Sequence, residues 1–245
     1  MREYKQAVQF NYFAAALCFL FLPPIFEMKA EQASNLPKGY RLLYQQDFSK
    51  ADAIKEFAMT DPDAWKISGT NSSLELATQS KYTPVVRSPV NIALIADKLF
   101  TDFVLEADLL QTSKEYGHRD MCLFFGFQSP TNFYYVHIAT ATDVHAHNIF
   151  IVNGTLRTKI SKQTTPGVDW GNGVWHKVRV ERTVSDGTIK IYFDDLTKPI
   201  MVAEDKTFAS WNIGFGSFDG TGRIDNIRIW GPSAKKSKTK FFPHP

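Results

Sequence analysis

Cysteine is almost missing from this chain. There are two, Cys18 and Cys122, and Cys18 falls in a segment that reads as removable. An internal disulfide is thereby excluded from the mature protein. Cys122 sits in the apolar run "MCLFFGF" and reads as buried packing. Long apolar runs are scarce as well. The clearest, "FAAALCFLFL" at 13–22, follows a short charged start and stops at Pro23-Pro24, with small Ala30 and Ala33 beyond. It is too short for a comfortable membrane span and has the layout of an export signal. Residues 1–33 are therefore expected to be a signal peptide, and the mature protein to be secreted or held in the periplasm or cell envelope without a membrane span. A surplus of one charge is lacking too. Lys235, Lys236, Lys238 and Lys240 in the tail 232–245 more than account for the net charge of +3. The remaining chain offers no basic footprint, which argues against a nucleic-acid partner. The tail itself reads as a basic, disordered end.

Sustained helical periodicity is missing after residue 66, and no internal repeat is visible. What is present is a succession of short strands. The stretch 51–65 leaves room for a turn or two of helix before Trp65. "FTDFVLEADLLQ" at 100–111 then alternates, with Phe103, Leu105, Ala107 and Leu109 on one side and Glu106 and Asp108 on the other. "MCLFFGFQ" and "NFYYVHIAT" are the next two strands. Asn153-Gly154 and Asp186-Gly187 mark two hairpins. About a dozen strands separated by turn signals imply one all-β domain over 40–231, a sandwich of two antiparallel sheets.

The order of these blocks resembles the concanavalin A-like lectin/glucanase jelly roll. Within it, the chain is similar to the 3-keto-disaccharide hydrolase-like domain of exported bacterial proteins. The resemblance is carried by "DFVLEADL", by "CLFFGF" followed by "YYVHI", by "GVWHKVRVERTVSDGTIKIYFDD" and by "IGFGSFDGTGRIDNIRIW". Three positions depart from that pattern: Gly126 stands where the family has Arg, Tyr135 where it has Glu, and His137 where it has Gln. The resemblance implies a saccharide partner on a concave sheet face. Two outcomes stay open, cleavage of a glycosidic bond and a non-catalytic carbohydrate-binding or cell-surface structural module.

Candidate site residues follow from the polar sides of consecutive strands. Glu106 and Asp108 form a carboxylate pair on one side of a strand, suited to acid–base work or to a solvated face. His137 is the candidate general base. His118, Arg119, Asp120, Tyr135, His147, Arg157 and Trp170 are candidate saccharide contacts, with Trp170 as the stacking ring and Trp175 assigned to the core. If consecutive strands pair, Asp108, His118, Asp120, Tyr135 and His137 share one pocket. "DVHAH" at 143–147 places Asp143, His145 and His147 at alternate positions, where an extended strand would converge them on a divalent transition metal. A polar loop edge at the pocket rim is the other reading of the same motif. Asp47 and Asp225 are candidate oxygen donors to a structural calcium.

Overall fold

Alternation of apolar and polar residues gives each strand one face for a core and one for solvent. The computed structural model describes residues 36–69, 72–237 and 241–242, so the expected signal peptide lies outside the described residues. In chain order the strands are β1 (Arg41–Gln46), β2 (Phe57–Met59), β3 (Trp65–Ile67), β4 (Leu74–Leu76), β5 (Asn91–Ile95), β6 (Lys98–Phe100), β7 (Phe103–Gln111), β8 (Asp120–Ser129), β9 (Asn132–Ala139), β10 (Asn148–Asn153), β11 (Thr158–Lys159), β12 (Ser161–Thr164), β13 (Trp175–Arg182), β14 (Thr188–Phe193), β15 (Met201–Glu204), β16 (Asn212–Ser217), β17 (Gly222–Gly231) and β18 (Ala234–Lys236). The helical allowance at 51–65 is met by two short 3-10 turns, Ala51–Glu56 and Pro62–Ala64.

Two large antiparallel sheets form the sandwich. The nine-stranded sheet runs β12-β15-β14-β13-β7-β17-β4-β3, with β1 added along β17. The seven-stranded sheet runs β11-β10-β9-β8-β16-β5-β2. Leu105, Ala107 and Leu109 of β7 and Val178 and Val180 of β13 face Leu123, Phe125, Val136 and Ile138 of the other sheet in one core. Both dipeptide turns form as hairpins, β10–β11 and β13–β14. At Gly187 the backbone has φ 83, and a Cβ there would meet the Asp205 carbonyl at 2.9 Å, so this turn requires glycine.

One connection departs from expectation and decides where the site residues go. Strands β7 and β8 are consecutive but do not pair. β7 lies between β13 and β17, and β8 lies between β9 and β16. Residues 112–119 therefore carry the chain from one sheet to the other.

The outward faces of the two sheets differ in chemistry. The seven-stranded sheet presents a second apolar layer that includes Phe124, Phe127, Phe133, Tyr135 and Phe150, covered by Tyr82, Val86, Phe241 and Phe242. This corrects the picture of a disordered tail. Ala234–Lys236 pair with β6, and Phe241 packs edge-on against Phe127 at 5.2 Å. Aromatic burial, invisible in a count of lysines, orders those parts of the tail.

Candidate functional site

The nine-stranded sheet carries a charged ladder on its outward face. Because Val178 and Val180 point inward, Trp175, Lys177, Arg179 and Glu181 of β13 point outward. Register then sets Lys177 opposite Asp108 and Arg179 opposite Glu106. Lys177 Nζ donates to Asp108 Oδ1 at 2.7 Å, and Asn226 Nδ2 donates to Asp108 Oδ2 at 2.8 Å. Arg179 Nε donates to Glu106 Oε1 at 3.0 Å, while Glu106 Oε2 is buried with no hydrogen-bond partner. Across β7, the next partners are Asp225 for Asp108 and Arg228 for Glu106. Burial pushes the Asp225 carboxyl up to about 6, opposed by the Asn226 amide it accepts and reinforced by the carboxylates of Asp108 and Asp47. Trp175, half-exposed, stands at one end of the ladder opposite Leu110. Trp230, also half-exposed, stands near the other end opposite Val104. A cleft of about 330 Å³ lined by Gln45, Gln46, Asp47, Ser49, Lys50 and Glu56 adjoins the face along β1.

The histidine candidates gather on the opposite sheet. His137 is the direct cross-strand partner of Cys122, and Asp120 lies two residues before Cys122 on the same side of β8. All three are buried, and one ligand atom from each lies within 4.8 Å of the others. Asp120 is the hub. Its Oδ1 accepts Ser217 Oγ at 2.9 Å, and its Oδ2 accepts the Phe218 amide at 2.9 Å and the Cys122 thiol at 3.1 Å. His137 Nε2 stands 3.6 Å from Asp120 Oδ2, and its Nδ1 accepts the His147 amide at 3.3 Å. Burial lowers the His137 pKa, with Asp120 acting in the opposite sense. Burial, then Asp120, pushes the Cys122 thiol well up. Beside this cluster Arg157 donates to the Tyr135 hydroxyl at 2.9 Å and lies over the rings of Phe150 and Phe218. His118 pairs with Asp143 at 2.7 Å on the exposed edge.

Several expectations are corrected by this arrangement. Asp108 and Glu106 do not share a pocket with His118, Asp120, Tyr135 and His137, because β7 and β8 belong to different sheets. His137 is therefore no general base for those carboxylates. Arg119 alternates away from Asp120 and is buried, donating to the carbonyls of Gly171 at 2.8 Å and Gln111 at 3.1 Å. Tyr135 has the expected parity but is buried, stacked on Phe150 at 5.1 Å. The two tryptophans exchange roles: Trp170 is buried edge-on against Phe193 and His176, while Trp175 is the half-exposed one.

"DVHAH" is a loop and not a strand. Asp143 Oδ1 accepts the amides of His145 at 2.6 Å and Ala146 at 2.8 Å, the side-chain-capped turn that favours Asp. His145 is exposed and His147 is buried with φ 50. His147 Nδ1 accepts the Ala139 amide at 3.2 Å, so Nε2 carries the ring proton toward Thr165 Oγ1 at 2.9 Å. Both ring nitrogens are occupied, so Asp143, His145 and His147 do not assemble a metal site. Asp47 and Asp225 do not fit calcium either. Each caps a backbone amide, of Ser49 and Asn226 respectively. Among the described residues they form no cluster with a third histidine, cysteine, aspartate or glutamate within reach of a single ion.

No protein-family model and no curated protein matches the chain. Solved structures do. The winged bean acidic lectin, solved with methyl-α-D-galactose, aligns with a TM-score of 0.53 at 14% identity, covering 81% of this chain and 99% of the lectin. A Bacillus subtilis protein of unknown function with a galectin-like fold aligns with a TM-score of 0.52 at 13% identity, covering 78% and 97%. The winged bean basic lectin, solved with Tn-antigen, gives 0.50 at 16% identity, covering 80% and 98%. The chain has the concanavalin A-like lectin/glucanase fold. That likeness concerns the two-sheet scaffold. Among the described residues no helix is long and apolar enough to cross a membrane.

Proposed function

We propose that the outward face of the nine-stranded sheet binds a saccharide chain. The observation that carries this reading is the partly exposed ladder of Lys177, Asp108 and Asn226, joined by hydrogen bonds of 2.7 and 2.8 Å, that Trp175 and Trp230 flank. Ion pairs and amides supply oriented donors and acceptors, and tryptophan rings supply apolar surface for sugar faces. Leu110 and Val104, the β7 partners of the two tryptophans, are about 20 Å apart along the strand, a length that suits an oligosaccharide better than a single ring. The lectins of the same fold were solved with a galactoside and with Tn-antigen, which is in keeping with this reading.

A second reading, cleavage, is favoured by one observation. Asp225, with a pKa of about 6, faces an Asp108 that is ion-paired with Lys177, which places a proton donor beside a carboxylate.

A glycan array followed by calorimetry on the full chain tests both. Binding is expected, weakened at least tenfold by Trp175→Ala and by Trp230→Ala and unchanged by His145→Ala. If no glycan binds, or if both tryptophan variants bind like the parent protein, the platform reading fails. Shortened products in the same incubations, lost in Asp225→Asn, would select cleavage over simple binding.

A further inference from the structure

We propose that Asp120, Cys122 and His137, on the outward side of the seven-stranded sheet, form a zinc site. These residues offer an oxygen, a sulfur and a nitrogen, the donor types that zinc accepts together. Calcium, which takes oxygen donors, is a poor match for a thiolate. Zinc bond lengths in a tetrahedron put sulfur and oxygen about 3.6 Å apart and nitrogen and oxygen about 3.4 Å apart. The observed separations are 3.1 Å for Cys122 Sγ to Asp120 Oδ2 and 3.6 Å for His137 Nε2 to Asp120 Oδ2. All three atoms lie within 4.8 Å of one another, against about 3.6 Å between sulfur and nitrogen in a zinc tetrahedron, so side-chain shifts of up to about an ångström bring them together. Strand register, and not a flexible loop, sets the spacing, since Cys122 and His137 are directly opposed. Three protein donors leave a fourth position for water.

The bound and free states differ in stated protons. In the free protein the His147 amide bonds His137 Nδ1, so the ring proton sits on Nε2. Zinc at Nε2 moves that proton to Nδ1, and the Cys122 thiol releases its proton to solvent. The His147 amide must then turn away from Nδ1. The loop 143–147 thus responds to the ion without ligating it. Arg157 acts electrostatically on both Cys122 and His137. Its positive charge opposes the cation, whereas two anionic ligands, Asp120 and the Cys122 thiolate, balance the zinc charge.

The test uses the full chain carrying Cys18→Ser, in which Cys122 is the sole thiol. Cobalt(II) is titrated as the optical probe and zinc by calorimetry. One equivalent of each is expected to bind, and the cobalt form should show a thiolate-to-metal charge-transfer band in the near ultraviolet. The band should vanish in a second chain that adds Cys122→Ser, and zinc affinity should fall at least tenfold with His137→Gln or Asp120→Asn. His145→Ala should leave both signals intact. Absence of the band in the Cys18→Ser chain overturns the site, whether or not the Cys122→Ser variant folds. So does zinc binding that survives Cys122→Ser undiminished. Glycan binding at the other sheet is read separately and does not depend on this result.

Discussion

Glu106 and Arg179 illustrate what one outward position can demand of a sheet. Both are at least nine-tenths buried although they sit on the solvent side of β7 and β13. A buried ion pair gains little over an apolar pair, yet losing one partner strands the other charge. Glu106→Gln is therefore expected to destabilise the fold by about 3 kcal/mol, with Arg179 left only its longer contact to Glu181 at 3.6 Å. The double change Glu106→Met with Arg179→Met should recover most of that loss. Urea denaturation of the three proteins measures both. Equal stability of Glu106→Gln and the parent protein would mean that the pair contributes no stability and that the charges are kept for another reason. Cys122 is instructive at the same scale. Buried packing describes its exposure, but the residue opposite it, His137, is what turns it into a donor of a three-residue cluster.

At the scale of elements, the closing segment stands out. β18 pairs with β6, and Phe241 and Phe242 cover the ring of Phe127 on the seven-stranded sheet. Two aromatic side chains seal an apolar layer that a β-sandwich would otherwise leave wet. Replacing both by alanine is expected to cost about 3 kcal/mol in total, less than two fully enclosed phenylalanines would. It should also raise the fluorescence of a dye that binds exposed apolar surface. Thermal melting and dye titration check this, and an unchanged dye signal would count against the seal. β8 shows a second local device. Gly126, where the resembling family has arginine, takes φ 57 within an irregular stretch of the β8–β9 ladder. An added Cβ would sit 3.1 Å from the Tyr134 ring, so a side chain there would press on the core.

For the whole molecule, the buried histidines set the response to acid. Burial, then the neighbouring His137, takes His147 down to about 4, and burial lowers His137 as well. Above about 6.5 both are neutral in the folded and unfolded states alike. Below it the unfolded chain takes up protons that the fold refuses, so stability falls until the folded pKa is reached. For His147 that amounts to about 2–3 kcal/mol near pH 4. Asp225 works the other way. Its folded pKa is raised, so the fold gains stability as pH falls from about 6 toward the ordinary carboxylate value. Partial exposure reduces that gain to roughly 1 kcal/mol. The histidines win, and the urea midpoint should drop between pH 7 and about 4.5. Asp225→Asn should make the drop steeper. A midpoint that stays level across this range would contradict neutral, buried His137 and His147.

The sequence by itself determined the all-β class, the two hairpins and the parity of nearly every strand, because a period of two residues is a local property of the chain. Glu106 and Asp108 were legible as neighbours on one side of β7, and His137 as an outward residue of β9, for the same reason. The alternation of Lys177 and Arg179 with Val178 and Val180 was also readable, and it was the signal that could have disclosed the ladder. Strand pairing is not local. Only the tertiary structure decided that β7 and β8 lie in opposite sheets, and so divided one imagined pocket into two separate faces. It also decided which tryptophan faces solvent, since Trp170 in its loop is buried by His176 and by Phe193 on the next strand, contacts that no periodicity announces. Of the two readings of 143–147, the loop prevails over the strand for a related reason. Alternating residues imply a strand only where a neighbouring strand takes up the backbone bonds, and here Asp143 takes up two of the amides itself.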